Sequence, residues 1–195
     1  MSETLEYLIQ SNVNVVDPFL AQFRDAKLKR WQGLIPVKLN GDPMVEQALN
    51  EINRRLGRTM FDRVSIQARD DAAIVSGLIF SEGTAFQPAG KTPADNKGNV
   101  SDNKIGMALG GHGGWPRACL SNSVISARFY VNYGSATAAA TTNIVIHEIG
   151  HAMGLLAHFP GFGEGADIGK EFWPVLRLLY NSAIGTSLKQ LVRQG

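Results

Sequence analysis

The chain has 195 residues, 44% of them hydrophobic and 18% charged, which are the proportions of one globular domain with a real core rather than of a disordered chain. Nineteen basic against 17 acidic residues leave a formal charge of +2, too small an excess for a nucleic-acid binder. A single cysteine, Cys119, excludes an internal disulfide, a cysteine-based zinc knuckle and an iron–sulfur site, and no apolar run approaches the ~20 residues that cross a bilayer.

Residues 1–31 read as a helical N-terminal extension. Asp17 and Pro18 make a cap and first turn, and Phe19, Leu20, Phe23 and Leu28 recur at helical spacing. Glu3 and Glu6 with no basic stretch do not read as a secretory signal, so the compartment stays open. A strand is predicted over 34–39, between Gly33 and the Asn40-Gly41 turn. Asp42 then caps a helix opened by Pro43, with Val45, Ala48, Leu49, Ile52 and Leu56 as one apolar stripe and Gly57 as a left-handed stop. Strands follow around 61–68 and 73–80, the second apolar enough to lie inside a sheet.

Residues 81–104 read as a long loop. Its Asp95, Asn96, Asn99, Asp102 and Asn103 offer oxygen ligands of the kind calcium takes, though without EF-hand spacing, and a solvated loop is the simpler expectation. The strand-like IGMAL, the glycine-rich GGHGGWP and a further strand over 127–133 complete an α+β pattern built on a twisted mixed sheet. His112, within GGHGGWP, reads as an exposed loop histidine, and Cys119 as a small buried hydrophobe.

Residues 141–159, TTNIVIHEIGHAMGLLAHF, carry the chemistry. His147 and His151 lie at i and i+4, on one face of a helix capped by Thr141, Thr142 or Asn143, so both can bind one ion. Glu148 is turned by about 100° from His147, beside the metal rather than on it, where a general base stands. Three of the four histidines fall within 12 residues, and Gly154 sits where a sharp turn brings His158 back to the same ion. Zinc takes three such nitrogens and keeps a fourth position for water. Two other third ligands stay open on spacing alone: Glu171, 20 residues after His151, and Asp167 in the glycine-rich stretch after the helix.

HEIGHAMGLLAH resembles the metzincin zinc-peptidase signature H-E-x-x-H-x-x-G-x-x-H, with one departure. The signature's last position is Ala157 here, and the histidine comes one later, at His158, as in some matrixin-like bacterial sequences. The element order upstream is similar to the metzincin N-terminal subdomain, so the resemblance covers roughly residues 32–160. It implies a subdomain over 32–154 carrying the zinc helix and a small, mostly helical C-terminal subdomain over 155–195. It also implies a turn beneath the metal, which Val175–Asn181 resembles with leucine in place of methionine, and a hydrogen bond from Tyr180 to the oxyanion. Secretion is a further implication of the family.

The expected function is therefore zinc-dependent endopeptidase activity, with Glu148 as general base and His147, His151 and His158 as ligands. A monomer would bind an extended peptide or protein substrate along an edge strand flanking GGHGGWP. Two alternatives stand beside it: a catalytically weak zinc domain that binds a protein partner, and a thermolysin-like zincin using Glu171. Lys27, Lys29 and Arg30 are the only basic cluster that favours nucleic acid, and such a cluster is usually a solvated helix face.

Overall fold

The computed structural model describes residues 1–13, 27–82, 98–102, 107–108, 119–133, 140–163 and 168–194. Helix α2 (Pro43–Leu56) forms where the sequence asks for it. The Asp42 carboxylate accepts from Met44 N, and Gly57 ends the helix at φ 69° with its N–H on Arg54 O and Asn53 O. Val45, Ala48, Leu49 and Ile52 are buried, so the predicted stripe is the face turned to the core. The second Asp42 oxygen accepts from the Tyr133 hydroxyl at 2.8 Å, which ties the start of α2 to the end of a strand.

That strand belongs to a six-stranded, mostly parallel sheet: β1 (Ile35–Lys38), β2 (Phe61–Asp62), β3 (Gly77–Glu82), β4 (Gly98–Asp102), β5 (Met107–Ala108) and β8 (Arg128–Tyr133), in the order β2-β1-β3-β8-β4-β5. Parallel pairing runs from β2 through β8, with Gly77–Glu82 facing Arg128–Tyr133 residue for residue, while β4 and β5 add antiparallel pairs. Two short strands, β6 (Leu120–Ser121) and β7 (Val124–Ile125), form a separate hairpin. Gly77 to Phe80 of β3 are all buried, as a strand covered on both faces requires. Leu78 and Phe80 enter the main core, and Ile79 packs with Ile66 and Ile74 on the other side. The architecture is a mixed α/β fold, consistent with the expected α+β class. Among the described residues no helix is long and apolar enough to cross a membrane.

Several sequence expectations change. The 61–68 strand stops after Asp62, because the Asp62 carboxylate accepts from Val64 N and Ser65 N and turns the chain. The 73–80 strand begins only at Gly77, after a single 3₁₀ turn at Asp71–Ala73. The predicted loop over 81–104 contains the end of β3 and all of β4, which gives the free edge of β8 its partner. GGHGGWP is followed not by β8 but by the β6–β7 hairpin, and of the two strands of the six-stranded sheet nearest to it in sequence β5 ends the strand order and β8 is interior.

The N-terminal region is not an appended extension. Helix α1 (Glu3–Leu8) runs into a π-helical turn (Ile9–Val13), and α1 packs against α4 (Phe172–Asn181). Leu5, Leu8, Ile9, Val13, Leu28 and Trp31 belong to the same buried cluster as the sheet and helices. Leu28, predicted helical, lies in extended chain paired to the C-terminal region through Thr186 O and Gly185 N. The predicted helix over Asp17, Pro18, Phe19, Leu20 and Phe23 lies outside the described residues. The C-terminal region holds two helices, α4 followed by α5 (Leu188–Gln194), after a non-helical stretch.

Leu8 is fully buried. Leu8→Ala is expected to lower unfolding free energy by about 2–5 kcal/mol in urea denaturation, the cost of a core cavity. A loss below about 0.5 kcal/mol would return residues 1–13 to the status of an appendage.

Candidate metal centre

Helix α3 (Thr142–Met153) carries the motif across the core face of the sheet, against α2, β4 and β8. Of the three predicted caps the structure uses Thr141, whose hydroxyl accepts from Ile144 N at 3.2 Å. Every residue from Val145 to Met153 is buried, which is why the segment reads as apolar on all sides except at its two histidines and Glu148. The helix ends at Gly154, where φ is 127°. A side chain there would be strained, and its Cβ would sit 3.0 Å from Lys29 O and 3.2 Å from Asn12 Nδ2.

The turn returns the chain so that three imidazoles converge. Nε2 of His147 is 3.0 Å from Nε2 of His151 and 3.2 Å from Nε2 of His158, and the last pair is also 3.2 Å apart. Such a triangle has a radius of about 1.8 Å, just inside the 2.0–2.1 Å at which zinc takes imidazole nitrogen, so His147, His151 and His158 would be able to hold one such ion together. Among the described residues it is the one group of three or more His, Cys, Asp or Glu that can hold a metal ion.

The rings are held in the form that ligation needs. His151 Nδ1–H donates to Leu155 O at 2.6 Å, which leaves the Nε2 lone pair for the metal. Burial pushes His147 down to about 4, with the charge of His158 adding to it. Burial also holds His151 well below its ordinary range, with His147 and His158 contributing. Both are therefore neutral imidazoles near pH 7. Glu148 is buried, its Oε2 has no hydrogen-bond partner among the described residues, and desolvation pushes its carboxyl up to about 8. The Nδ1 of His147 is likewise buried and unpartnered among the described residues.

An aromatic floor, not visible as such in the sequence reading, lies beneath the three rings. The ring of Phe162, fully buried, has its centroid 4.6 Å from that of His147, 4.8 Å from His151 and 5.6 Å from His158. Phe162 gets there through a tight turn: Phe159 and Phe162 exchange both backbone hydrogen bonds across Pro160-Gly161. Phe172 stacks behind it at 5.2 Å. Gly150 of the motif makes the room, because a Cβ there would come 2.9 Å from Phe172 and 3.0 Å from Phe162. The available signal was the Pro-Gly pair directly after His158-Phe159, a turn marker flanked by aromatics.

The remaining candidates separate from the cluster. Tyr180 is buried, and its hydroxyl donates to Met153 O at 2.9 Å, so it caps the end of α3 and its one proton is committed there rather than to an oxyanion. Val175–Asn181 is part of helix α4, not a turn beneath the metal. The Glu171 carboxylate lies against the backbone of Gly161 and Gly169, and it is not in the ligand group. Asp167, His112, Asp95, Asn96 and Asn103 lie outside the described residues. The backbone of Asn99 and Asp102, the other calcium candidates, is in β4 rather than in a loop. Cys119 is buried, as expected of a small hydrophobe.

Comparison with protein-family models, with curated proteins and with solved structures gives no match for this chain.

The buried groups give the metal-free protein a pH signature. Glu148 holds its proton up to about pH 8 when folded but only to 4.5 when unfolded, so it makes stability fall as pH rises through that window. His147 acts in the opposite sense, costing stability as pH drops from 6.5 towards 4. In chelator-treated protein, the stability of Glu148→Gln relative to the parent is expected to rise steadily from pH 5 to 8 in urea denaturation. A difference that stays constant over this range would contradict the burial of an ionisable carboxyl.

Proposed function

We propose that the chain is a zinc-dependent endopeptidase of the metzincin type, with His147, His151 and His158 as ligands and Glu148 as general base. The observation that carries the reading is the convergence of three imidazole nitrogens at 3.0–3.2 Å, beside a buried carboxyl whose Oε2 has no partner among the described residues. Zinc suits three nitrogen donors with an open fourth position, and in such a site it lowers the pKa of a water towards 7 and polarises a carbonyl.

The chain's own residues supply the rest. His151, fixed by Leu155 O, and His147, kept neutral by burial, present lone pairs without first losing a proton. The Glu148 carboxyl ionises more readily with a divalent cation on the neighbouring rings, since an opposite charge favours the carboxylate. It then takes the proton of the attacking water and delivers it to the leaving amine. Phe162 and Phe172 keep bulk water from the inner side of the imidazoles. A buried polar atom left without a partner costs stability, a cost that a purely structural zinc site has no reason to carry. This favours catalysis over the partner-binding alternative.

Glu148→Gln is expected to retain zinc while peptide cleavage falls by about 10²–10⁴, the usual range for a general base. His158→Ala is expected to weaken zinc binding itself, and Glu171→Ala to leave it unchanged. Equilibrium dialysis of zinc together with cleavage of a generic protein substrate checks all three. Loss of zinc in Glu171→Ala with retention in His158→Ala would contradict the ligand set.

A further inference from the structure

Two of the three ligands stand on a helix, but the third does not. His158 lies beyond Gly154 in a stretch that forms neither helix nor strand, so α3 alone cannot place it. Its backbone is held by the N-terminal π-helical turn. Asn12 Nδ2 donates to Gly154 O at 2.8 Å and to Lys29 O at 2.7 Å, while its Oδ1 accepts from Lys29 N at 2.9 Å. Ser11 O accepts from Leu156 N at 2.9 Å and Ala157 N at 3.4 Å, and Ser11 Oγ donates to Ala157 O at 2.7 Å. Gln10 Nε2 donates to His158 O at 3.3 Å, and the Tyr7 ring stacks on Phe159 at 5.3 Å with a 13° tilt. Ser11 and Asn12 are polar residues at 0% and 1% exposure, a placement that only these backbone bonds explain.

We propose that Ser11 and Asn12 are positioning residues for His158, and that the metal centre is complete only while residues 7–13 are docked against 154–159. The inference rests on the metal-centre reading above and extends it from the ligands to the segment that aligns one of them. Without the clamp, binding the ion would have to order the whole 154–158 stretch. With the clamp, that ordering is already done. Coupling of this kind is reciprocal, so metal binding must tighten the docking of the N-terminal segment by the same factor that docking tightens the metal. Release or removal of residues 1–13 would thus open the third ligand position without touching any histidine.

The test uses the full chain, stripped of metal and titrated with Co²⁺ by absorption spectroscopy at a temperature where all variants are folded. Ser11→Ala removes one hydrogen bond, and Ser11→Thr keeps the hydroxyl. Co²⁺ affinity is expected to fall about 10- to 100-fold in Ser11→Ala, as for other groups that orient metal ligands. The visible bands should shift as the third nitrogen is lost, and Ser11→Thr should recover most of both. In the unaltered protein, zinc is expected to slow hydrogen exchange at the Leu156 amide, which bonds Ser11 O. This measurement stands even if Ser11→Ala does not fold. A Ser11→Ala protein that melts earlier but binds Co²⁺ with parental affinity and spectrum would overturn the inference, as would Leu156 exchange that is indifferent to zinc. Failure of the parent to bind Co²⁺ would overturn the metal-centre reading itself, so the two failures are distinguishable.

Discussion

A helix that ends inside a protein leaves carbonyls that water cannot reach, and the C-terminus of α3 is such an end. Backbone N–H groups of Leu155 and Gly154 meet the carbonyls of Gly150 and His151, and side chains meet those that follow. Trp31 Nε1 donates to Ala152 O at 2.8 Å, Tyr180 to Met153 O at 2.9 Å and Asn12 to Gly154 O at 2.8 Å, and His151 itself closes on Leu155 O. The N-terminal turn, the extended segment before β1 and helix α4 are therefore all fastened to the point where the chain reverses towards His158. If that end were left unpaired, the reversal would lose its definition and the third imidazole its address.

The same arrangement explains which residues become chemically unusual. Burying the end of α3 also buries its histidines and Glu148, and desolvation then disfavours every charged form among them. The result is a set of neutral donors around a small gap and a carboxyl poised to titrate near neutrality. Around Tyr180, Arg30 and Arg58 lie over the ring and donate to the carbonyls of Ser182 and Tyr180, so cations stabilise the C-terminal end of α4. In the basic cluster of Lys27, Lys29 and Arg30, Arg30 donates to Ser182 O and Lys29 Nζ to Lys27 O.

The parts legible in the sequence were those fixed by local chemistry. Asp42-Pro43 and Gly57 bound α2, the apolar run at Gly77–Phe80 marks an inner strand, and His147, His151, Gly154 and His158 converge as their spacing requires. The parts that were not legible depend on long-range pairing. Residues 98–102 carry Gly, Asn and Asp, poor strand formers, yet they pair with β8 because an unpaired inner edge costs more than weak propensity. The β6–β7 hairpin turns on Asn122 and Ser123 at φ 50° and 67°, which a serine does not advertise. The resemblance implies a hydrogen bond from Tyr180 to an oxyanion, whereas its position on α4 aims its hydroxyl at Met153 O at the end of α3. Ser11 and Asn12 gave no local signal, since their partners Ala157 and Gly154 lie more than 140 residues away.

The coordination sphere of the loaded protein tests the central claim most directly. X-ray absorption spectroscopy at the zinc edge is predicted to show three imidazole nitrogens at about 2.0–2.1 Å with the outer-shell scattering of intact rings, plus one light donor from solvent. A sphere with only two imidazoles, or with a protein carboxylate in place of the third, would contradict the account. In that case the reversal at Gly154 would have a purpose other than delivering His158.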